Sequence, residues 1–366
     1  MAVKVLVISN YRNTFSVRPE AEIFIDLAKR GFEIDIMTYG DSEYVSKFKE
    51  AGINVIDFHP QKKLDKTEIK FIRDHLKKGK HDIVHLFSGR GVLNGIQAAK
   101  KLPVKIVLYR GYAGNIHWYD PTAYLKFLHP RVDKILCNTK GVADAITKNV
   151  GFNPGKIKVI NKGHFSFWYD NIDAIPRESL GLSEKDFLVV NVANNRAMKD
   201  IPTLIRATNY IPEHLPIHIL LVGGNMDDKA NMHALNESPN KDKIHILGFR
   251  DDRLSIVKSS DVFALTSLYG ESITKSVIEA MCMGTVPVIT SIAGNVELVE
   301  NDKSGFVIPV KSPEILAEKL ISLYNDKELY QRLSKGAIHH IDTKLSHERT
   351  VNEYDSFYKE LVAEKQ

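Results

Sequence analysis

The feature that most narrows the fold of this chain is a rhythm. Short apolar runs alternate with stretches of helical periodicity, and the alternation runs through twice. In the first round residues 3–9, 34–38, 55–58, 83–87, 106–109, 135–137 and 159–160 read as strands. Several are apolar on both faces, as parallel strands are when helices cover both sides. Helical stretches over 20–30, 67–78 and 142–150 lie between them, and Gly31 and Gly79 stand where helices should stop. The rhythm breaks at 163–176. It restarts with expected strands at 188–193, 217–222, 244–247, 262–266 and 286–290. Helices are expected at about 201–210, 253–259, 274–283, 314–324, 328–341 and 347–363. Repeated strand–helix–strand units predict an α/β protein with two doubly wound, Rossmann-like parallel sheets. The expected division is 1–165, 166–345, and a last helix over 346–366 that packs back toward the first domain. Ligands of such sheets bind beyond the carboxyl ends of the strands, which places the expected site where the two domains face each other.

Composition agrees. A chain of 366 residues, 43% hydrophobic and 26% charged, can bury two cores and is neither disordered, collagenous nor a coiled-coil rod. No run approaches the roughly 18 apolar residues of a membrane helix, and the N-terminus enters a strand without a cleavable leader pattern. Cys137 and Cys282 lie far apart inside apolar runs and read as buried small hydrophobes. A reducing, cytoplasmic setting is therefore expected. The net charge of +5 conceals an asymmetry: residues 1–165 hold 28 Lys and Arg against 16 Asp and Glu, the remainder 22 against 29. A basic first half with Lys62, Lys63, Lys66, Lys70, Arg73, Lys77, Lys78 and Lys80 in one stretch suits an anionic acceptor or peripheral contact with an anionic membrane. Without a recognition motif, nucleic acid is not expected as a partner.

Many catalytic signatures are missing. There is no P-loop, G-x-S-x-G, H-E-x-x-H or C-x-x-C, and no D-x-D to hold a metal–diphosphate. Gly89, Gly91 and Gly95 after the expected strand at 83–87 read as a tight strand-to-helix turn. No metal site and no cofactor are expected.

The densest signal spans 268–291. Glu271 and Glu279 stand eight positions apart, the first in the loop after a strand, the second on the helix that follows. Thr274 or Ser272 can cap that helix, leaving the amides of Ile273, Thr274 and Lys275 at its positive end, where a phosphate is favoured. Glu279, about one and a half turns on, could accept hydrogen bonds from a ribose diol.

This segment closely resembles the E-x7-E region of the retaining GT-B glycosyltransferases of family 4, enzymes of bacterial surface glycans and lipopolysaccharide among them. Further pieces match in the same order: 191–205 with Arg196 and Lys199 before a helix, 218–224 with its glycine turn, 248–250, 260–267, 292–299 and 304–309. Residues 81–85, 133–139 and 156–163 are similar more loosely. The resemblance implies a GT-B fold and transfer of a sugar from a UDP- or GDP-linked donor to a hydroxyl acceptor, a glycan or glycolipid. It implies that Arg196 and Lys199 neutralise the leaving diphosphate, that Glu271 holds the donor sugar, that Glu279 binds ribose, that the peptide from Ser272 to Lys275 meets the phosphates, and that Phe249 and Arg250 lie near the base. The chemistry asks for such cations, because a leaving nucleoside diphosphate gains charge as its bond breaks.

The sequence departs from the family pattern. Asn194 stands where the family's arginine usually does, with Arg196 two residues later, and the loop around Glu271 is poor in glycine. The family's glycine loop after the first strand is replaced by 10–20, with Arg12 and Arg18, and its His-Gly by Arg110-Gly111. Arg12, Arg18, Arg110 and His117 are thus the acceptor-side candidates, with His117 equally readable as a loop histidine packed on Trp118. His164 and Trp168 read as packing at the domain junction. A nucleotide-sugar epimerase or hydrolase, or a non-catalytic donor-binding subunit, remain alternatives on the same architecture.

Overall fold

The computed structural model describes residues 2–12, 14–112, 114, 116–150 and 154–364. The chain forms two compact units, residues 1–163 with 347–366 and residues 164–346. The first contains β1 (Lys4–Ile8), α1 (Thr14–Lys29), β2 (Glu33–Thr38), α2 (Tyr44–Glu50), β3 (Asn54–Asp57), α3 (Lys66–Gly79), β4 (Ile83–Leu86), α4 (Gly89–Ala99), β5 (Lys105–Arg110), β6 (Lys134–Cys137), α5 (Lys140–Val150) and β7 (Ile157–Val159). The second holds β8 (Phe187–Val192), α6 (Ile201–Ala207), β9 (Ile217–Val222), α7 (Lys229–Asn236), β10 (Ile244–Gly248), α8 (Arg253–Ser259), β11 (Val262–Leu265), α9 (Lys275–Cys282), β12 (Val286–Thr290), β13 (Phe306–Ile308), α10 (Pro313–Asn325) and α11 (Lys327–Thr343). The last helix, α12 (His347–Ala363), belongs to the first unit.

All pairings between these strands are parallel. The orders are β3-β2-β1-β4-β5-β6-β7 and β10-β9-β8-β11-β12-β13. Strand order therefore reverses between β1 and β4 in one sheet and between β8 and β11 in the other, and a crevice opens beyond the carboxyl ends at such a reversal. Alternation within the strands fills two cores per sheet. Val5 and Val7 join one cluster and Leu6 and Ile8 the opposite one, while Phe187 and Val189 part from Leu188 and Val190 in the same way. A buried Val or Leu contributes roughly 1.5–3 kcal/mol, so a one-residue slip of a central strand would be costly. Helix α12 adds Val351, Tyr354, Phe357, Tyr358 and Leu361 to the core of the first unit, and the Tyr358 hydroxyl meets His85 Nδ1 at 2.6 Å. Both cysteines are free and buried.

Several expectations need correction. Helix α1 starts at Thr14, six residues before the expected start, because Pro19 is accommodated within it. Arg18 is consequently a helical residue beside Tyr44, and the expected loop over 10–20 shrinks to its first few residues. Gly31 takes the left-handed conformation after α1 as expected, but at the end of α3 that conformation falls on Lys80 (φ 51°). Gly79 is needed for another reason: a Cβ there would lie 2.2 Å from the His81 ring. Helices α2, α4 and α7 and strand β13 escaped the periodicity reading, being short or, in α4, masked by three glycines.

Candidate active site

The reversal point of the second sheet brings together Lys199 and Glu271, two of the candidate residues. Strand β8 is pinned to β11 by Asn191, whose buried Nδ2 donates to the Ala264 carbonyl at 2.8 Å. Beyond β8 the chain makes a 3-10 turn over Ala197–Lys199, and Asp200 enters the left-handed region (φ 46°) before α6 begins. Two contacts tie this turn to the loop after β11. The Thr266 hydroxyl reaches the Lys199 and Asp200 carbonyls at 3.0 Å each, and the Leu268 amide donates to the Met198 carbonyl at 2.8 Å.

With the two loops so fixed, Lys199 Nζ forms an ion pair with Glu271 Oε1. Their side chains are 15% and 11% exposed. Ser267 donates to the same carboxylate oxygen at 2.7 Å and Thr274 to the other at 3.2 Å. The Thr274 hydroxyl is therefore spent on Glu271, so of the two expected caps Thr274 does not cap α9, which starts at Lys275. Its dipole stays directed at the carboxyl edge of the sheet, where an anion is favoured. One turn along, Lys275 Nζ donates to Glu279 Oε1 at 2.6 Å, and Glu279 is 4% exposed. Burying a carboxylate is costly without hydrogen-bond partners, and both glutamates have them.

The backbone under Glu271 is supported from behind. A Cβ at Gly294 would come within 2.3 Å of the Ser272 carbonyl oxygen and 2.6 Å of that of Glu271, so only glycine lets the two loops stack. Asn295, fully buried, donates to the Thr290 carbonyl at 2.9 Å and fixes the glycine's position. Gly223 plays the corresponding part beside β8, with φ 143° and a Cβ position 1.7 Å from the Ala193 carbonyl oxygen.

The other candidates are more dispersed. Arg196 is exposed and makes no ion pair among the described residues. Phe249, 72% exposed, and Arg250 follow β10, two strands away from β8, and the Arg250 fork is taken by Asp252 at 2.6 and 2.8 Å. In the first unit, Arg12 pairs with Asp41 at 2.8 Å. Arg110 donates to the Tyr112 carbonyl at 2.6 Å and to that of Gly114, and so braces its own loop. His117 stacks on Tyr119 at 5.0 Å and not on Trp118. His164 is buried against Trp168, 5.6 Å between ring centres. Among the described residues no cluster of three or more His, Cys, Asp or Glu could hold a metal. Sequence reasoning gave no role to Ser267, Thr266, Gly294 or Asn295. A serine four positions before Glu271 was the available signal for the first; the rest act through neighbours distant in sequence.

Comparison with known proteins places the chain in a family. Residues 173–340 match the family model "Glycosyl transferases group 1" and residues 22–164 match "Glycosyltransferase Family 4". Over 310 residues the chain is 25% identical to the Escherichia coli UDP-Gal:alpha-D-GlcNAc-diphosphoundecaprenol alpha-1,3-galactosyltransferase, covering 79% of this chain and 78% of that one. Over 345 residues it is 24% identical to the Campylobacter jejuni N,N'-diacetylbacillosaminyl-diphospho-undecaprenol alpha-1,3-N-acetylgalactosaminyltransferase, covering 87% and 90%. A glycosyltransferase from Rickettsia africae superposes with a TM-score of 0.80 at 20% identity over the whole of both chains. The Anabaena protein HepE in complex with UDP superposes with 0.77 at 18%, covering 98% of this chain and all of that one.

Proposed function

Because the chain belongs to the family 4 glycosyltransferases of the GT-B fold, we propose that it moves a sugar from a nucleotide-sugar to a hydroxyl of a glycan or glycolipid, with retention at the anomeric carbon. The observation that carries this reading is the Lys199–Glu271 pair at the reversal point of the second sheet, beside the start of α9. In the proposed reaction the donor diphosphate lies at the α9 N-terminus. Lys199 and Arg196 balance the charge that grows on the leaving group, and Glu271 accepts hydrogen bonds from the donor sugar. Glu279 accepts from the ribose hydroxyls, with Phe249 and Arg250 toward the base. Lys199 then serves two anions in turn: Glu271 in the resting site, and the diphosphate as the glycosidic bond breaks. The two relatives named above act on sugars linked to diphosphoundecaprenol, which supports a lipid-linked acceptor and a role in surface-glycan synthesis. No described helix is long and apolar enough to cross a membrane, so such an acceptor would be met by peripheral contact, to which the basic first half is suited.

A mass-spectrometric screen of UDP- and GDP-sugars, followed by determination of the product's anomeric configuration, tests the reading. Release of nucleoside diphosphate from one donor and an axial-to-axial or equatorial-to-equatorial outcome are expected. Inversion at the anomeric carbon, or no turnover of any nucleotide-sugar with lipid-linked and free glycan acceptors, would count against it.

A further inference from the structure

We propose that the carboxyl edge of the first sheet is a phosphate subsite for the acceptor, built from Arg90 and a stack of Arg12, Tyr39 and His59. The proposal rests on the transferase reading above and names the acceptor's charged group.

The geometry starts from strand order. Arg12 lies in the loop after β1, and Arg90 in the first turn of α4, the helix that follows β4; strand order reverses between β1 and β4. Tyr39 and His59 follow the neighbouring strands β2 and β3. The Arg12 guanidinium lies 3.7 Å above the Tyr39 ring, and that ring stacks on His59 at 4.7 Å with 22° between the planes. The loops are held rigid from beneath. Gln61 Nε2 donates to the Tyr39 hydroxyl at 3.0 Å and to the His59 carbonyl at 2.7 Å. Glu68 accepts from the Gln61 amide at 3.0 Å and from the buried Asn94 at 2.8 Å.

Two observations within this frame point to a missing ligand. His59 is 8% exposed, yet neither ring nitrogen has a partner in hydrogen-bond geometry among the described residues. Buried polar groups are nearly always paired, and leaving one unpaired is costly. Burial holds the ring neutral first of all; Arg90 and Arg12 push the same way, opposed by the Pro60 backbone and Glu68. Both cations are thus close enough for the ring to feel them. Second, Arg90 is exposed and makes no hydrogen bond or ion pair with another described residue. The nearby acids are already engaged: Asp41 by the Arg12 fork at 2.8 Å, Asp57 by the Gly40 amide at 2.6 Å, and Glu68 as above. Arg90 is the second residue of α4, whose N-cap Ser88 accepts from the Gly91 amide, and the space beside Gly89 is open.

An anion here would meet the Arg90 fork, the start of α4, and a His59 N–H that lacks an acceptor. A phosphate offers acceptor oxygens to donors of each of these kinds, and its dianionic charge suits a guanidinium joined to a helix N-terminus. The same chemistry could be presented by a polyprenyl diphosphate or by a soluble phosphorylated polyol.

The test is calorimetric titration with inorganic pyrophosphate, on the wild type and on Arg90→Gln, Arg90→Lys and Arg196→Gln. Two pyrophosphates should bind the wild type. Arg90→Gln should weaken one of them about 10- to 100-fold, the range for a charge-assisted hydrogen bond, and Arg90→Lys should recover part of it. Arg196→Gln should weaken the other. Unchanged binding in Arg90→Gln overturns the proposal. Unchanged binding in Arg196→Gln overturns the donor-site assignment and leaves this one standing. Transfer assays with a sugar on a short polyprenyl diphosphate and with a phosphorylated polyol then separate the two sources. The acceptor KM should rise at least about 10-fold in Arg90→Gln for whichever is used. An acceptor KM equal in the two proteins for both also overturns it.

Discussion

Lys199→Ala removes one partner from a pair whose side chains are 15% and 11% exposed. Stripping the partner from a fully buried pair costs about 3–5 kcal/mol, whereas an exposed pair is worth about 0–1 kcal/mol. Glu271 would keep its bonds from Ser267 at 2.7 Å and Thr274 at 3.2 Å, which softens the loss. The expected cost is therefore about 2 kcal/mol, or a fall in melting temperature of about 4–8 °C for a unit of this size. Turnover should fall more, by about 100- to 1000-fold, or roughly 2.7–4 kcal/mol, if Lys199 also stabilises the leaving diphosphate. Glu271→Ala leaves the lysine unpaired and should cost a similar stability. The double variant resolves the matter. If the two residues act as one unit, their stability effects should fall short of additivity by about 0.5–3 kcal/mol, and the double variant should turn over about as slowly as the worse single one. Urea unfolding and a coupled nucleotide-release assay on the four proteins provide the numbers. Additive losses in stability, together with wild-type turnover in Lys199→Ala, would refute both the pairing argument and the assignment to the leaving group.

Gly294→Ala should displace the Glu271–Ser272 peptide, since its Cβ falls 2.3 Å from a backbone oxygen; a loss of at least about 1–3 kcal/mol and a large loss of transfer are expected, and a variant with wild-type melting temperature and turnover would show that the loop is not so confined. Glu279→Ala should weaken binding of the bare nucleoside diphosphate, and Glu271→Ala should leave that binding nearly intact while losing transfer; equal losses in a calorimetric titration would refute this division. Stability should decline as pH falls below about 6.5. His85 is fully buried and burial, aided by Lys162, holds it neutral in the folded chain, so the unfolded chain binds the extra proton and stability present above the unfolded pKa is lost in acid. Urea midpoints between about pH 6.5 and 4.5 should fall less steeply in His85→Gln, by up to about 1.4 kcal/mol per pH unit, and parallel slopes would exclude His85 as a contributor. Transfer should survive EDTA, because the sequence has no D-x-D and the described residues hold no candidate metal cluster; activity abolished by EDTA and restored by magnesium would contradict this.

Much of the architecture was legible because it is written in short-range periodicity. A strand buried on both faces must be apolar throughout, so β1, β8, β9, β11 and β12 stood out within a residue or so of their ends. The segment around Glu271 and Glu279 was legible for a different reason, its resemblance to a known family. Elements whose identity depends on neighbours were not legible. Helix α4 opens with Gly-Arg-Gly, whose glycines are poor helix formers by local propensity, and holds because Val92, Ile96, Ala98 and Ala99 are buried in the core of the first unit. Helix α1 continues across Pro19 because its other residues, Ile23, Phe24 and Leu27 among them, pack on β1 and α12. Arg18 was misplaced for that reason alone.

The amino-acid sequence alone determined two parallel α/β sheets, a reversal in the chemistry from basic to acidic halves, and a pair of glutamates on either side of a helix start. Each follows from residues that are near one another along the chain, where the 2.0 and 3.6 periods and capping preferences apply. Only the tertiary structure decided that Lys199 meets Glu271 across 72 positions, that Gly294 backs the Glu271 peptide, and that Arg12, Tyr39, His59 and Arg90 gather at one sheet edge. Those meetings are set by strand order, and strand order is set by which apolar faces can be buried together. That is a global packing condition, and no local pattern encodes it.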